Sequence, residues 1–355
     1  MLGWLGILRL GLVQTSLGAV IVLTTSTMNR VMVVELALPA MLPGILVALH
    51  HIVQMSRPRF GYGSDVGGRR TPWIIGGMIV LALGGTGAAL GTALMVSSPG
   101  AGTALAVIAF ILIGLGAGAA GTSLLVLLAK QVPMERKAAA ATIVWIMMIA
   151  GFAVTAGLAG HFLDPFSPRR LVEVTAVVSL AAVMVTLLAL YRLEHRGEAG
   201  SVATASQGGG LSPGFRQALI EVWHEPEARR FTLFVFVSML AYSAQDLILE
   251  PYAGTVFGMT PGQSTQLSGI QHAGVLLGML VVAVTGTVLR QAGPVLLRYW
   301  TVGGCIASAL ALAGIAFGGS AGTAWPLSAN VFCLGVANGA FAIAAIASMM
   351  TLASH

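Results

Sequence analysis

The sequence predicts an all-α polytopic membrane protein with about ten transmembrane helices. Three observations support this class: the chain is 57% hydrophobic, only 8% of its residues are charged, and its apolar runs approach the length of a membrane span. A soluble domain carries about a quarter charged residues, whereas a helix needs roughly 20 apolar residues to cross the hydrocarbon core. Barrel strands are much shorter, so runs of this length favour helices.

The predicted spans follow one another closely, with one longer polar interval after the sixth. They lie at residues 10–30, 37–55, 72–96, 102–129, 138–162, 171–191, 230–250, 265–288, 295–318 and 325–350. The opening stretch MLGWLGILRL is predicted to be an interfacial lead-in to the first helix.

The connections between the spans carry the charge asymmetrically. Of the 18 Lys and Arg residues, one side of the membrane receives all but Arg30, Arg169 and Arg170. Positive charge accumulates on the cytoplasmic side, so the N-terminus is predicted to be cytoplasmic. Membrane topology accounts for the basic composition, and nucleic-acid binding is not predicted.

The polar interval divides six spans from four. Its middle, GEAGSVATASQGGGLSPG, is predicted to be flexible, and FRQALIEVWHE at 215–225 to be a short amphipathic helix on the cytoplasmic surface. The sequence thus predicts a six-helix bundle at 1–192, a cytoplasmic linker at 193–229 and a second bundle at 230–355. Two-bundle transporters are built from repeated halves, so the second bundle is predicted to be incomplete, with the last two of twelve helices absent.

A compact polar motif, RPRFGYGSDVGGRRTPW, lies between the second and third spans. Its spacing is Gly61-x-x-x-Asp65-x-x-Gly68-Arg69-Arg70, which resembles the signature loop of the major facilitator superfamily. Glycines permit a tight turn, and Asp65 can accept hydrogen bonds from arginines. The resemblance implies a major facilitator-like two-bundle fold and a cytoplasmic gate; the alternative is a solvated loop whose arginines only fix topology.

Three longer segments are more specific. TSTMNRVMVVELALPAMLPG (25–44), QMSRPRFGYGSDVGGRRTPWIIGGM (54–78) and EARRFTLFVFVSMLAYSAQDLILEPYAG (227–254) closely resemble the PucC family, a branch of that superfamily. The resemblance implies a role in assembling bacterial light-harvesting complexes and in handling bacteriochlorophyll. It further implies the photosynthetic, intracytoplasmic part of the bacterial inner membrane as location. Antenna polypeptides or a reaction centre–antenna complex are the implied partners, beside membrane lipid.

Polar residues inside or at the ends of spans are functional candidates, because burying them in lipid is costly unless they are paired. A weak internal repeat sets MVVELALPA (32–40) against LILEPYAGT (247–255). An Arg30–acid pair across the two halves is predicted to tie the bundles together on the periplasmic side; the alternative is that these groups are solvated at the interface. The candidates are Asn29, Arg30, Glu35, Gln245, Asp246 and Glu250.

Four further residues are candidates for contact with a pigment. A neutral imidazole can act as a metal ligand, so His50 and His272 are predicted ligands of bacteriochlorophyll magnesium. Gln54 and Gln271 are predicted hydrogen-bond donors to a pigment carbonyl. The alternative is that the histidines are hydrogen-bonded packing residues.

Three functional hypotheses follow. The first is a membrane assembly factor that binds bacteriochlorophyll and delivers it to antenna polypeptides. The second is a secondary transporter of a small solute, in which Glu35, Asp246 and Glu250 are coupling or substrate residues. The third is a scaffold without a ligand. The sequence contains no catalytic constellation, metal-ligand cluster or nucleotide motif, so an enzyme is not predicted.

Overall fold

A computed structural model describes residues 2–57, 60, 69–193, 223–288 and 293–352 of the chain. Every long element in these ranges is a helix. In chain order they are α1 (Trp4–Glu35), α2 (Met41–Gln54), α3 (Thr71–Leu94), α4 (Pro99–Gln131), α5 (Lys137–Leu163), α6 (Pro168–Leu190), α7 (Pro226–Phe257), α8 (Pro261–Val288), α9 (Gly293–Ala321) and α10 (Leu327–Leu352).

Within the described ranges, nine helices are long and apolar enough to cross a membrane, and α2 is a shorter apolar helix of 14 residues. The predicted membrane class and helix number are therefore confirmed. The second span, predicted over 37–55, is shorter because Leu36–Ala40 leaves helical geometry: Ala37 has a positive φ of 50° and Pro39 lacks a backbone donor.

The start of the chain differs from the prediction. Residues 4–10 form the first turns of α1 rather than a separate interfacial lead-in. Ile7 and Leu10 are fully buried, and the Arg9 Nε donates to the Ala189 carbonyl at the end of α6 across 2.8 Å. The predicted amphipathic helix, by contrast, lies almost entirely outside the described residues.

The helices pack in two groups. In the first, α3 packs against α4 and α6, and α1 packs against α5 and α6; in the second, α10 packs against α8 and α9, and Leu249 and Ala253 of α7 lie in the apolar cluster of these helices. Glycines permit the close approaches. A side chain at Gly114 would meet the His50 carbonyl of α2, and side chains at Gly335 and Gly339 would meet backbone carbonyls of α8, as expected of small-residue contact motifs.

Helices α5 and α8 join the two groups through a tight backbone contact. A Cβ added at Gly269 would lie 2.9 Å from the Gly157 backbone nitrogen and 3.1 Å from the Ala153 carbonyl. Helices α1, α5 and α7 all end on the same side of the molecule. We call this side the distal end, and the opposite side, where these helices begin, the proximal end.

Candidate functional site

The distal half of α1 is irregular and polar. Two π-helical turns, Leu23–Thr27 and Val31–Glu35, flank the short α-helical segment Met28–Arg30. The Thr24 and Thr25 hydroxyls each donate to a backbone carbonyl one turn earlier, which weakens regular helical bonding. π turns inside helices often mark functional sites; here they orient several polar side chains towards α7.

Arg30 is almost completely buried, with 1% of its side chain exposed. It forms a salt bridge of 2.6 Å with Glu35 and also donates to the Met259 carbonyl across 2.5 Å. The predicted salt bridge between Arg30 and an acid of the other half is therefore not formed: Arg30 pairs with Glu35 of its own helix. The π turn places Glu35, five residues after Arg30, on the same face of α1 as Arg30. The hydrogen bond of Arg30 to the other half is accepted by a backbone carbonyl, that of Met259.

Further hydrogen bonds link α1 to the second group of helices. Ser26 Oγ donates to Glu250 Oε1 across 2.6 Å, and the Asn29 side chain donates to the Leu247 carbonyl across 2.6 Å. Asn29 and Glu250 are 4% and 1% exposed, so neither is solvated at an interface. We call this set of contacts, together with those of Arg30, the α1–α7 interface.

A second distal contact joins α5 to the start of α8, and sequence reasoning missed it. Asp164 accepts from the Thr260 hydroxyl across 2.5 Å and from the Gly262 amide across 3.2 Å. Thr260 and Gln263 also bond each other reciprocally, backbone to side chain. The Thr-x-x-Gln pattern before an apolar run is a capping box, and this signal was readable in the sequence.

The remaining polar candidates of α7 connect neighbouring helices of the second group. Gln245 accepts from the Asn338 amide across 2.8 Å, and Asn338 accepts from Ser308 across 2.8 Å. Gln271 donates to Asp246 across 3.2 Å. The six intramembrane candidates thus lie in hydrogen-bonded contacts, but they do not converge on one pocket.

The two predicted histidine ligands are buried within helix contacts. His50 is 1% exposed, and its Nδ1 lies 2.9 Å from the Val47 carbonyl. His272 is 5% exposed, its Nδ1 lies 2.8 Å from the Ser268 carbonyl, and Phe152 packs edge-on against its ring. Gln54 accepts a hydrogen bond from Arg57. This geometry favours the packing alternative for both histidines.

Most of the predicted gate motif lies outside the described residues. Gly61, Asp65 and Gly68 belong to that part, while Arg69 and Arg70 immediately precede α3. The gate stays a prediction.

A lateral groove of about 940 Å³ lies between α5 and α6, with α1 as its floor. Its walls are mainly aliphatic, and its distal mouth carries His161, Asp164, Arg170 and Glu173. A cleft of this volume is large enough for an organic ligand. Sequence reasoning did not identify this groove, because it depends on how far α5 and α6 separate.

Comparison with known families and proteins gives a consistent result. A family model described as PUCC protein matches residues 27–355. The "Bacteriochlorophyll synthase 44.5 kDa chain" of Rhodobacter capsulatus is 53% identical over 355 residues, which cover all of this chain and 80% of that protein. "Protein PucC" of Rhodovulum sulfidophilum is 32% identical over 286 residues, 77% of this chain and 62% of the relative. The chain thus spans less than two thirds of that PucC relative.

Two solved transporters have a similar fold. A D-xylose-proton symporter has a TM-score of 0.65 at 16% identity, covering 95% of this chain and 79% of the symporter. A peptide transporter, POT, has a TM-score of 0.62 at 13% identity, covering 95% and 80%. At such identities the similarity concerns the fold alone, and it confirms the predicted major facilitator-like architecture.

Proposed function

Because the chain belongs to the PucC protein family, whose model matches residues 27–355, we propose that it is a membrane assembly factor for bacterial light-harvesting complexes. In this role it binds bacteriochlorophyll and delivers it to antenna polypeptides. The observation that carries the proposal is the 53% identity, over the whole chain, to a protein named for bacteriochlorophyll synthesis.

The architecture is compatible with a membrane-soluble cargo. Bacteriochlorophyll is an apolar molecule with a magnesium centre, and it reaches a multi-pass protein from within the bilayer. The α5–α6 groove opens sideways between helices and is mainly aliphatic. Meanwhile, the distal contacts of Arg30, Asn29 and Asp164 hold the two helix groups together. We therefore infer lateral exchange of the cargo with the membrane.

The remaining parts of the proposal concern place and partners. We place the chain in the photosynthetic, intracytoplasmic part of the bacterial inner membrane with its N-terminus in the cytoplasm, as the distribution of Lys and Arg predicts. The proposed partners are antenna polypeptides or a reaction centre–antenna complex. We assign the chain a role in pigment handling rather than catalysis, although its relative from Rhodobacter capsulatus has "synthase" in its name.

A second candidate function is secondary transport of a small solute. Glu250 favours it, because this carboxyl is 1% exposed and lies in the α1–α7 interface, where Ser26 donates to its Oε1. Buried acids in transporter spans commonly carry protons or bind substrate. Transport predicts solute uptake that Glu250→Gln abolishes, whereas pigment delivery predicts that this variant still supports antenna assembly.

The test is to purify the protein in mild detergent from a phototrophic host and record its absorption spectrum, in parallel with antenna assembly in a strain lacking the protein. A near-infrared bacteriochlorophyll band at fixed stoichiometry, with antenna assembly lost in the deletion strain, supports the proposal. A colourless protein that still captures antenna polypeptides identifies a scaffold. A colourless protein that captures no antenna polypeptide contradicts the proposed assembly role.

A further inference from the structure

The α5–α6 groove changes from polar to apolar along its length. His161, Asp164, Arg170 and Glu173 lie at its distal mouth, whereas Val177, Val178 and Val185 line its continuation along α6. From Arg170 to Val185 the groove follows α6 for about 22 Å, at roughly 1.5 Å per residue. Its polarity therefore matches an amphiphile that has a polar head at the membrane surface and a long apolar chain directed into the bilayer.

The charged groups at the mouth already have partners. Asp164 accepts from Thr260 and Gly262, Arg170 donates to the Pro165 carbonyl across 3.0 Å, and Glu173 accepts from Arg169 across 2.7 Å. The polar end of the groove thus offers few free charges to a strongly ionic headgroup.

His161 differs from these neighbours. It is exposed and borders the groove. Its ring packs edge-on against Phe162 with centroids 5.4 Å apart, and it makes no hydrogen bond with any residue in the described part of the chain. An accessible imidazole of this kind can bind a metal centre through a ring nitrogen. His50 and His272, in contrast, are buried and bonded to backbone carbonyls.

We propose that His161 is the axial ligand of the bacteriochlorophyll magnesium and that the hydrocarbon tail of the pigment lies in the α5–α6 groove. The inference rests on the proposed function and names the binding site within it. The exposed side chains of Leu158, Phe162 and Val177 supply the apolar contact surface for the macrocycle and the upper part of the tail.

Titration of the purified full-length protein in mild detergent tests this site. The probes are bacteriochlorophyll a and its magnesium-free counterpart, bacteriopheophytin a, followed by near-infrared absorption and induced circular dichroism. His161→Ala removes the ligand, and Ala181→Trp places a large side chain in the groove from an exposed position on α6. His51→Ala is the matched control, because His51 is also exposed but lies on α2, away from the groove.

We expect His161→Ala to weaken binding of the magnesium pigment about tenfold or more and to leave binding of the magnesium-free pigment unchanged. Ala181→Trp should weaken binding of both, and His51→Ala neither. Far-UV circular dichroism and gel filtration identify any variant that fails to fold; for such a variant, His161→Gln and Ala181→Phe replace the original substitution.

Three outcomes overturn the inference alone. If His161→Ala binds the magnesium pigment as tightly as the wild-type protein does, His161 is not the ligand, while the pigment-handling function stands. If Ala181→Trp binds both pigments as tightly as the wild-type protein does, the pigment does not lie in the groove. Native mass spectrometry that shows a phospholipid in the groove, not displaced by pigment, identifies a lipid site instead. A wild-type protein that binds neither pigment overturns the proposed function as well, so the two failures are distinguishable.

Discussion

Substitution of Arg30 by methionine should destabilise the protein severely, because it removes one partner of a buried ion pair. Arg30 is 1% exposed and Glu35 33% exposed, and the substitution also leaves the Met259 carbonyl without the guanidinium donor that it has at 2.5 Å. Breaking a buried pair by removing one partner costs about 3–5 kcal/mol, and we expect a loss of stability in the lower part of that range, since Glu35 retains partial access to its surroundings.

A second ion pair of the same chain provides a matched control. Arg169 and Glu173 also lie 2.7 Å apart, but their side chains are 89% and 56% exposed. An exposed pair contributes about 0–1 kcal/mol, so Arg169→Met should change stability little.

The assay is unfolding of both purified variants in the same detergent, followed by tryptophan fluorescence. A double-mutant cycle with Glu35→Gln isolates the coupling between Arg30 and Glu35. Equal effects of Arg30→Met and Arg169→Met, or a loss below about 1 kcal/mol for Arg30→Met, would refute the argument from burial.

Three further predictions concern other contacts. Gly269→Ala should lower stability by about 1–3 kcal/mol, because its Cβ would lie 2.9 Å from the Gly157 nitrogen. In the control Gly303→Ala, the added Cβ has no atom within 4 Å, so stability should stay unchanged or rise by up to about 1 kcal/mol. The same unfolding assay compares the two variants, and equal effects would contradict the close α5–α8 contact. Thr260→Ala should cost about 1 kcal/mol through loss of the α8 cap and should increase hydrogen exchange at the start of α8, whereas Thr255→Ala, at an exposed helix position, should not. Ser26→Ala leaves Glu250 Oε1 without its 2.6 Å donor and should lower stability by about 1–3 kcal/mol. Ser320 is exposed, so an effect of Ser26→Ala smaller than that of Ser320→Ala would contradict this expectation.

The membrane class and the helix number were predictable, because the bilayer imposes a minimum length on every apolar run. The limits of α2 were less predictable, because the positive φ of Ala37 depends on how the chain reverses direction between α1 and α2. The general location of the polar cluster at the ends of α1 and α7 also followed from the sequence. The partner of Arg30 did not, because it depends on a π turn that no hydrophobic period reveals.

The sequence could not predict which of the histidines are exposed. His50, His161 and His272 all lie within apolar helices, and only helix packing distinguishes the exposed His161 from the other two. The capping box at Thr260 and Gln263 was available in the sequence, but its link to Asp164 required the α5–α8 arrangement. The pigment and partner assignments came from resemblance, not from residue spacing.

The π turns of α1 also constrain how the chain can change in length. Each such turn accommodates one residue more than a regular α-helix would, so deleting one residue from Leu23–Thr27 or from Val31–Glu35 would restore α geometry there, and the helix beyond the turn would keep its orientation. Asn29 and Arg30 would continue to face α7. In related chains that retain the α1–α7 interface, a segment that is shorter by one residue should therefore lack one of the two π turns.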